Sequence, residues 1–122
     1  MTRKELTGVR ELKMSSWIRE KLPDSSEGFM VSDLDFILYN YKEKMCMLLE
    51  VKTRNTDLKE WQKRLLENVA RWIEKGIDNG WMFGGYHVVT FENTFFDDGK
   101  CWYDSREVSE GELTEILSMR DK

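Results

Sequence analysis

The chain has 122 residues, of which 40% are hydrophobic and 34% are charged, a composition typical of a globular domain. A boundary inside so short a chain would leave pieces too small to hold a hydrophobic core, so the sequence predicts a single domain over residues 1–122. The net charge of −4 argues against a protein that coats nucleic acid without specificity, because such proteins carry a basic surface. It does not exclude local contact with phosphate groups.

The sequence predicts neither a membrane span nor a zinc site. No segment approaches the roughly 20 apolar residues that a bilayer requires, and no apolar run follows the basic start of the chain, so no signal peptide is expected. Cys46 and Cys101 lie outside any CxxC pair, and together with the one histidine, His87, they cannot supply the usual tetrahedral zinc set. Two isolated thiols are expected to be reduced, which fits a cytoplasmic protein.

The first part of the chain is predicted to contain a helix and a pair of strands. Apolar residues recur on one side of residues 9–22, which indicates a helix, and the turn-forming residues 23–28 follow it as a loop. Residues 33–39 and 45–51 are two runs rich in β-branched, aromatic and other apolar side chains, as in strands. The polar residues 40–44 between them indicate an antiparallel hairpin.

The second part is predicted to begin with a long helix that ends at Ile77. Thr56 or Asp57 can cap its first turn, and both are left open as its start. After it come a strand, a short strand and a final helix, predicted at residues 86–91, 100–103 and 110–119. This order of elements predicts an α/β or α+β fold in which helices flank a central mixed β-sheet.

Three charged side chains of the hairpin are predicted to lie on one face. Side chains alternate between the two faces of a strand, so Glu50 and Lys52 point the same way, roughly 6–7 Å apart. A loop that is symmetric about residues 42–43 places Asp35 directly opposite Glu50 on that face. The same register sets two further pairs, Tyr39 with Cys46 and Ile37 with Leu48.

Two carboxylates in this register would have Cβ atoms roughly 4.5–5.5 Å apart and would repel each other unless a positive charge lay between them. A hard divalent cation such as Mg²⁺ meets this need, because it takes carboxylate oxygens and keeps several waters. The alternative is a solvated ion pair that joins the two strands. The apolar neighbours of Glu50 favour a site, because a charge in an apolar strand needs a partner and perturbed carboxylates cluster at functional sites.

The stretch SDLDFIL at residues 32–38, followed by LLEVK at residues 48–52, resembles the PD-(D/E)XK nuclease superfamily. Its members include restriction endonucleases, archaeal Holliday-junction resolvases and small phage nucleases. In that family an aspartate leads a hydrophobic strand and a Glu-x-Lys closes the next one. Asp35 matches the aspartate, because an uninterrupted hydrophobic run follows it, and Glu50 and Lys52 match the Glu-x-Lys. The proline of the motif is absent from this chain.

The resemblance implies a restriction-endonuclease-like fold and Mg²⁺-dependent hydrolysis of phosphodiester bonds in DNA, with Mn²⁺ as a substitute. Asp35, Glu50 and the backbone carbonyl of Val51 would hold the ion. Lys52 would position the attacking water or stabilise the developing charge. Some branches place a glutamine in the next helix, and Gln62 matches it. It would then orient the metal-bound water or contact the DNA backbone, and the alternative is a packing residue at the helix edge. The resemblance leaves open the choice between DNA and RNA, the preferred substrate structure, and endo- or exonucleolytic cleavage.

A glutamate of the first helix often completes such sites, and Glu11 and Glu20 are both candidates. Asp33 is either a second acidic group of the site or a strand-start residue. A homodimer is a further expectation if both strands of a duplex are cut. For a phage-encoded member the expected location is the cytoplasm of a bacterial host.

Other residues are expected to be structural. His87 is predicted to be a strand residue with satisfied hydrogen bonds, and Trp61 and Trp72, at helical spacing, are predicted to face the core. The alternative function is a nuclease-like domain that binds nucleic acid or protein without cutting it. Retention of Asp35, Glu50 and Lys52 argues against that alternative.

Overall fold

The structure, a computed structural model, describes the backbone of residues 9–53 and 59–120 and the side chains of residues 13–53 and 59–120. Its contacts divide the chain into two compact units, Met1–Ser32 and Asp33–Lys122. Within the described ranges, no helix is both long enough and apolar enough to cross a lipid bilayer.

The first unit contains the helix α1 (Val9–Lys21) followed by a 3₁₀ turn at Ser25–Glu27. Asp24 caps that turn, because its carboxylate accepts the N–H of Ser26 at 3.0 Å. Gly28 ends the turn with a φ of 80°, a left-handed conformation that glycine adopts without strain. The helix and loop predicted for this part of the chain are confirmed.

The second unit is built on a five-stranded mixed sheet with the strand order β1-β2-β3-β4-β5. Its elements in chain order are β1 (Phe36–Asn40), β2 (Met45–Thr53), α2 (Glu60–Gly76), β3 (Met82–Phe91), β4 (Cys101–Tyr103), β5 (Arg106–Glu107) and α3 (Glu110–Ser118). Strands β2 and β3, which α2 connects, run parallel, and the other neighbouring strands are antiparallel. The predicted class, a mixed sheet combined with helices, is confirmed.

The hydrophobic core of the second unit lies between the sheet and α3. Its buried members come from β2, β3, β4, the segment before α3, and α3 itself: Leu49, Val89, Phe91, Cys101, Val108 and Leu113. Helix α3 begins with a capping box, in which Ser109 Oγ accepts the N–H of Glu112 at 3.0 Å and Glu112 accepts the N–H of Ser109 at 2.8 Å. One face of the sheet is therefore committed to packing, because its apolar side chains meet those of α3.

Strands β1 and β2 form the predicted antiparallel hairpin in the predicted register. Both pairs expected within the strands are observed, Tyr39 with Cys46 and Ile37 with Leu48. The ladder ends at Phe36 opposite Leu49, so the next position on each strand places Asp35 beside Glu50. Because side chains alternate between the two faces of a strand, Asp35 and Glu50 lie on the same face, as the sequence predicts.

Strand β1 begins at Phe36, later than the predicted start at residue 33. The reason is that the backbone N–H of Asp35 donates to the Glu50 side chain instead of a strand carbonyl. Strand β3 begins at Met82, earlier than predicted, because glycines at positions 84 and 85 are accommodated in a bulge. The two-residue strand β5 carries no run long enough to be predicted from the sequence.

The prediction that the tryptophans of α2 face the core is wrong. Trp61 is 39% exposed and Trp72 is 61% exposed, whereas Leu66 is buried. At 3.6 residues per turn, Trp61 and Trp72 lie about 140° and 120° around the helix axis from Leu66. The helix therefore turns both rings away from its buried side. The predicted caps Thr56 and Asp57 lie outside the described residues.

A bulge in β3 shifts the pairing between β2 and β3. Cys46 pairs with Phe83 but Leu48 pairs with Tyr86, so β3 uses one residue more than β2 between these pairs. Gly85 lies there with a φ of 95°, a conformation that other residues rarely adopt. A Cβ atom at this position would lie 3.2 Å from Nε2 of His87. The bulge places Tyr86, instead of Gly85, beside Leu48.

The variant Gly85→Ala is expected to lower the free energy of unfolding by about 1–3 kcal/mol, because alanine would be strained in the left-handed region. Urea unfolding monitored by tryptophan fluorescence measures this change. Gly76→Ala is the matched control, since a Cβ there meets nothing within 4 Å, and it should be neutral or stabilising by up to about 1 kcal/mol. Equal stability of Gly85→Ala and the unmodified protein would contradict the bulge geometry.

Candidate functional site

Two hydrogen bonds link Asp35 to the last part of β2. The N–H of Asp35 donates to Oε1 of Glu50 at 3.3 Å, and Oδ2 of Asp35 accepts the N–H of Val51 at 2.8 Å. Each carboxylate thus satisfies a backbone donor at the point where the ladder between the strands ends. The contacts bring Asp35 and Glu50 together, as the hairpin register predicts.

Glu50 is buried, although its side chain carries an ionisable group. It is 3% exposed, and its Oε2 lies 3.6 Å from Nζ of Lys52, whose side chain is 21% exposed. A buried carboxylate is costly unless hydrogen bonds and an opposite charge compensate it. The three residues that the sequence singles out, Asp35, Glu50 and Lys52, therefore form one connected group with Glu50 at its centre.

The surroundings of Glu50 favour its protonated form. Burial is the largest cause that raises the pKa of this carboxyl above its ordinary value, and the negative charge of Asp35 raises it further. The hydrogen bond from the Asp35 N–H and the charge of Lys52 lower the pKa, while Asp33 contributes a smaller increase. The charge of Lys52 does not cancel the effects of burial and of Asp35, so the pKa of Glu50 stays raised. An additional positive charge near Glu50 would favour its ionised form.

The residues present fit a divalent cation that keeps much of its water. Among the described residues, no group of three or more His, Cys, Asp or Glu side chains is arranged to hold a metal. Mg²⁺ does not require one, because it is usually bound by one or two carboxylates together with waters and substrate phosphates. Asp35 and Glu50 supply two carboxylates. The N–H and C=O of one strand residue point to the same side, so the Val51 carbonyl lies on the side of Asp35.

Tyr86 belongs to the same face of the sheet and was not singled out from the sequence. It pairs with Leu48, two residues before Glu50, and side chains of paired positions in a parallel sheet share a face. Burial raises the pKa of its phenol most, followed by the negative charges of Glu50 and Asp35 and then of Glu67 on α2. The Gly-Gly pair directly before Tyr86 is the sequence signal that could have indicated a bulge there.

Gln62 lies in the first turn of α2, the helix that contacts β3. It is half-buried and shares a side of the helix with Leu65, Leu66 and Val69, at spacings of three, four and seven residues. This is the buried side of α2, because it carries Leu66. Its role in catalysis stays a prediction.

The other sequence candidates are placed as follows. Glu20 is exposed on α1 in the first unit, and the side chain of Glu11 lies outside the described residues. Asp33 is exposed and acts on Glu50 through its charge. His87 has both ring nitrogens engaged, with Nδ1 2.6 Å from Oδ2 of Asp104 and Nε2 2.5 Å from the Gly84 carbonyl oxygen. The expectation of a satisfied strand histidine is confirmed.

In the metal-free protein, Glu50→Gln is expected to raise stability at neutral pH. The pKa of Glu50 is higher in the folded chain than in the unfolded chain. The stabilisation that this shift provides is therefore complete below the unfolded pKa and is lost as the pH rises through the folded pKa. Thermal unfolding between pH 3 and pH 8 should show an advantage of the variant at neutral pH that vanishes below about pH 4. Glu74→Gln, at an exposed position of α2, is the matched control. A variant that is less stable than the unmodified chain at pH 8 would contradict the direction of the shift.

Comparisons of the chain with protein-family models, with curated proteins and with solved structures found no match. The function is therefore inferred from the chemistry of its own residues and from the resemblance in the hairpin motif.

Proposed function

We propose that the protein is a divalent-metal-dependent nuclease that hydrolyses phosphodiester bonds, with DNA as its substrate. The observation that carries this proposal is the buried carboxylate of Glu50, which accepts a hydrogen bond from Asp35 and lies 3.6 Å from the ammonium of Lys52. Phosphodiester hydrolysis needs carboxylates to hold a cation and a positive group to stabilise developing negative charge. The hairpin supplies both on one face.

Asp35, Glu50 and the carbonyl of Val51 would hold Mg²⁺, or Mn²⁺ in its place. When bound, the ion neutralises charge on the phosphate and lowers the pKa of a coordinated water. Glu50 has to be ionised to bind a cation, and because its pKa is raised, protons compete for this carboxylate as the pH falls. Lys52 stabilises the negative charge that develops on the phosphoryl oxygens. Gln62 orients the attacking water or contacts the nucleic-acid backbone.

The exposed side of α2 is the proposed contact for the phosphate backbone. It carries four exposed basic side chains and three exposed acidic ones, so its excess of positive charge is mild: Lys63, Arg64, Arg71 and Lys75 against Glu60, Glu67 and Glu74. Basic groups on one helix side attract phosphates even when the net charge of the chain is negative, since the local field decides the contact. A homodimer, which would present two sites to a duplex, is part of the same proposal.

Lys52→Ala and Glu50→Gln are each expected to lower the cleavage rate by about 10²–10³-fold. The first removes the positive charge that stabilises the reacting phosphate, and the second removes a carboxylate that would hold the cation. Cleavage of plasmid, single-stranded and branched DNA with Mg²⁺, with Mn²⁺ and with a chelator measures the effect on gels. Lys42→Ala and Glu107→Gln are matched controls, since they remove a lysine and a glutamate from exposed positions outside the site and outside α2. Circular dichroism of all four variants verifies that the fold is retained.

Cleavage by Glu50→Gln at the rate of the unmodified protein would refute the proposed mechanism. DNA binding without cleavage in any metal, unaffected by Lys52→Ala, would instead favour a nuclease-like domain that binds without cutting. Activity that persists in chelator would remove the cation from the proposal.

A further inference from the structure

The hydroxyl of Tyr86 is a buried polar atom for which the structure gives no hydrogen-bond partner among the described residues. A buried hydroxyl without a partner destabilises the fold, because it gives up its bonds to water and receives none in return. Native proteins contain few such groups, and a bound ion or water is one way in which the missing bond is supplied. Phenylalanine would fill the same space without this cost. The hydroxyl of Tyr86 therefore calls for an explanation.

The surroundings of Tyr86 are acidic. Burial raises the pKa of its phenol most, and the negative charges of Glu50, Asp35, Glu67 and Asp104 raise it further, so the hydroxyl keeps its proton and remains a donor. Carboxylates are the strongest acceptors available to such a donor. In the metal-free site the two oxygens of Glu50 face other groups, because one accepts the N–H of Asp35 and the other lies nearest the ammonium of Lys52.

The bulge in β3 determines which face of the sheet Tyr86 occupies. The bulge in β3 sets Tyr86 beside Leu48, on the face that carries Glu50, while His87 and Val89 face the other way. The ring of His87 stacks on Tyr103 on that opposite face. Tyr86 and Tyr103 are thus two half-buried tyrosines on opposite faces of the same sheet.

We infer that Tyr86 is a positioning residue of the metal site, whose hydroxyl donates a hydrogen bond to the oxygen ligands gathered there when a divalent cation binds. This inference rests on the proposed function and adds a residue from a third strand to the site. The donor would fix the orientation of an oxygen ligand, as groups behind metal ligands commonly do. It would also remove the cost of the unpaired hydroxyl, so cation binding and satisfaction of Tyr86 would be coupled.

Tyr86→Phe tests the inference, because it removes only the hydroxyl. Thermal unfolding of the full chain is measured in chelator and across a titration with Mg²⁺. In chelator the variant should be at least as stable as the unmodified protein, since it loses an unpaired buried group. In the titration it should require about 10-fold more Mg²⁺ for the same stabilisation. Tyr103→Phe is the matched control and should leave the Mg²⁺ dependence unchanged.

The possible outcomes separate this inference from the proposed function. If the unmodified protein is stabilised by Mg²⁺ and cleaves DNA, and Tyr86→Phe responds to Mg²⁺ identically, the role of Tyr86 is refuted and the nuclease proposal stands. A variant that is less stable than the unmodified protein in chelator also refutes it, because the hydroxyl would then be bonded without a cation. If the unmodified protein shows neither Mg²⁺ stabilisation nor cleavage, both proposals are refuted together.

Discussion

The two hydrogen bonds that join Asp35 to the last part of β2 are the constraint on which the site depends. They extend the pairing of β1 and β2 beyond the last backbone pair, with carboxylate oxygens in place of strand carbonyls. One consequence is geometric, since Asp35 and Glu50 are fixed relative to each other by backbone donors and not only by flexible side chains. The other is electrostatic, because two acidic groups are held close together although they repel.

Burial of the Glu50 carboxyl group lowers local stability. Burial and the neighbouring Asp35 raise the pKa of Glu50, so the charged form is disfavoured in the metal-free fold. The packing of the opposite sheet face against α3 supplies hydrophobic stabilisation that can offset such a cost. In this small unit, one face of the sheet holds the hydrophobic core, and the other carries the ionisable groups Asp35, Glu50 and Lys52.

The bulge in β3 sets which of its side chains lie on each face of the sheet. Before the bulge Phe83 pairs with Cys46, and after it Tyr86 pairs with Leu48. The extra residue at Gly84–Gly85 restores alternation in a new phase, with Val89 towards the core and Tyr86 towards Glu50. The carbonyl of Gly84 and the carboxylate of Asp104 bind the ring of His87 at this point, which ties the bulge to the turn after β4. A backbone irregularity therefore decides which aromatic side chain lies beside the acidic group.

The sequence by itself determined the helices, the strands β1 and β2, and the register of their hairpin. A short loop and a period of two are local properties of the chain. The same local rules predicted that Asp35, Glu50 and Lys52 share a face. Only the tertiary structure decided that β3 runs parallel to β2, since the long crossover through α2 carries no register in its sequence. It also decided the burial of Glu50, the position of Tyr86 beside Leu48, and the outward direction of Trp72. These features depend on which distant surfaces come into contact, and that choice is made by packing of the whole unit, not by any local pattern of residues.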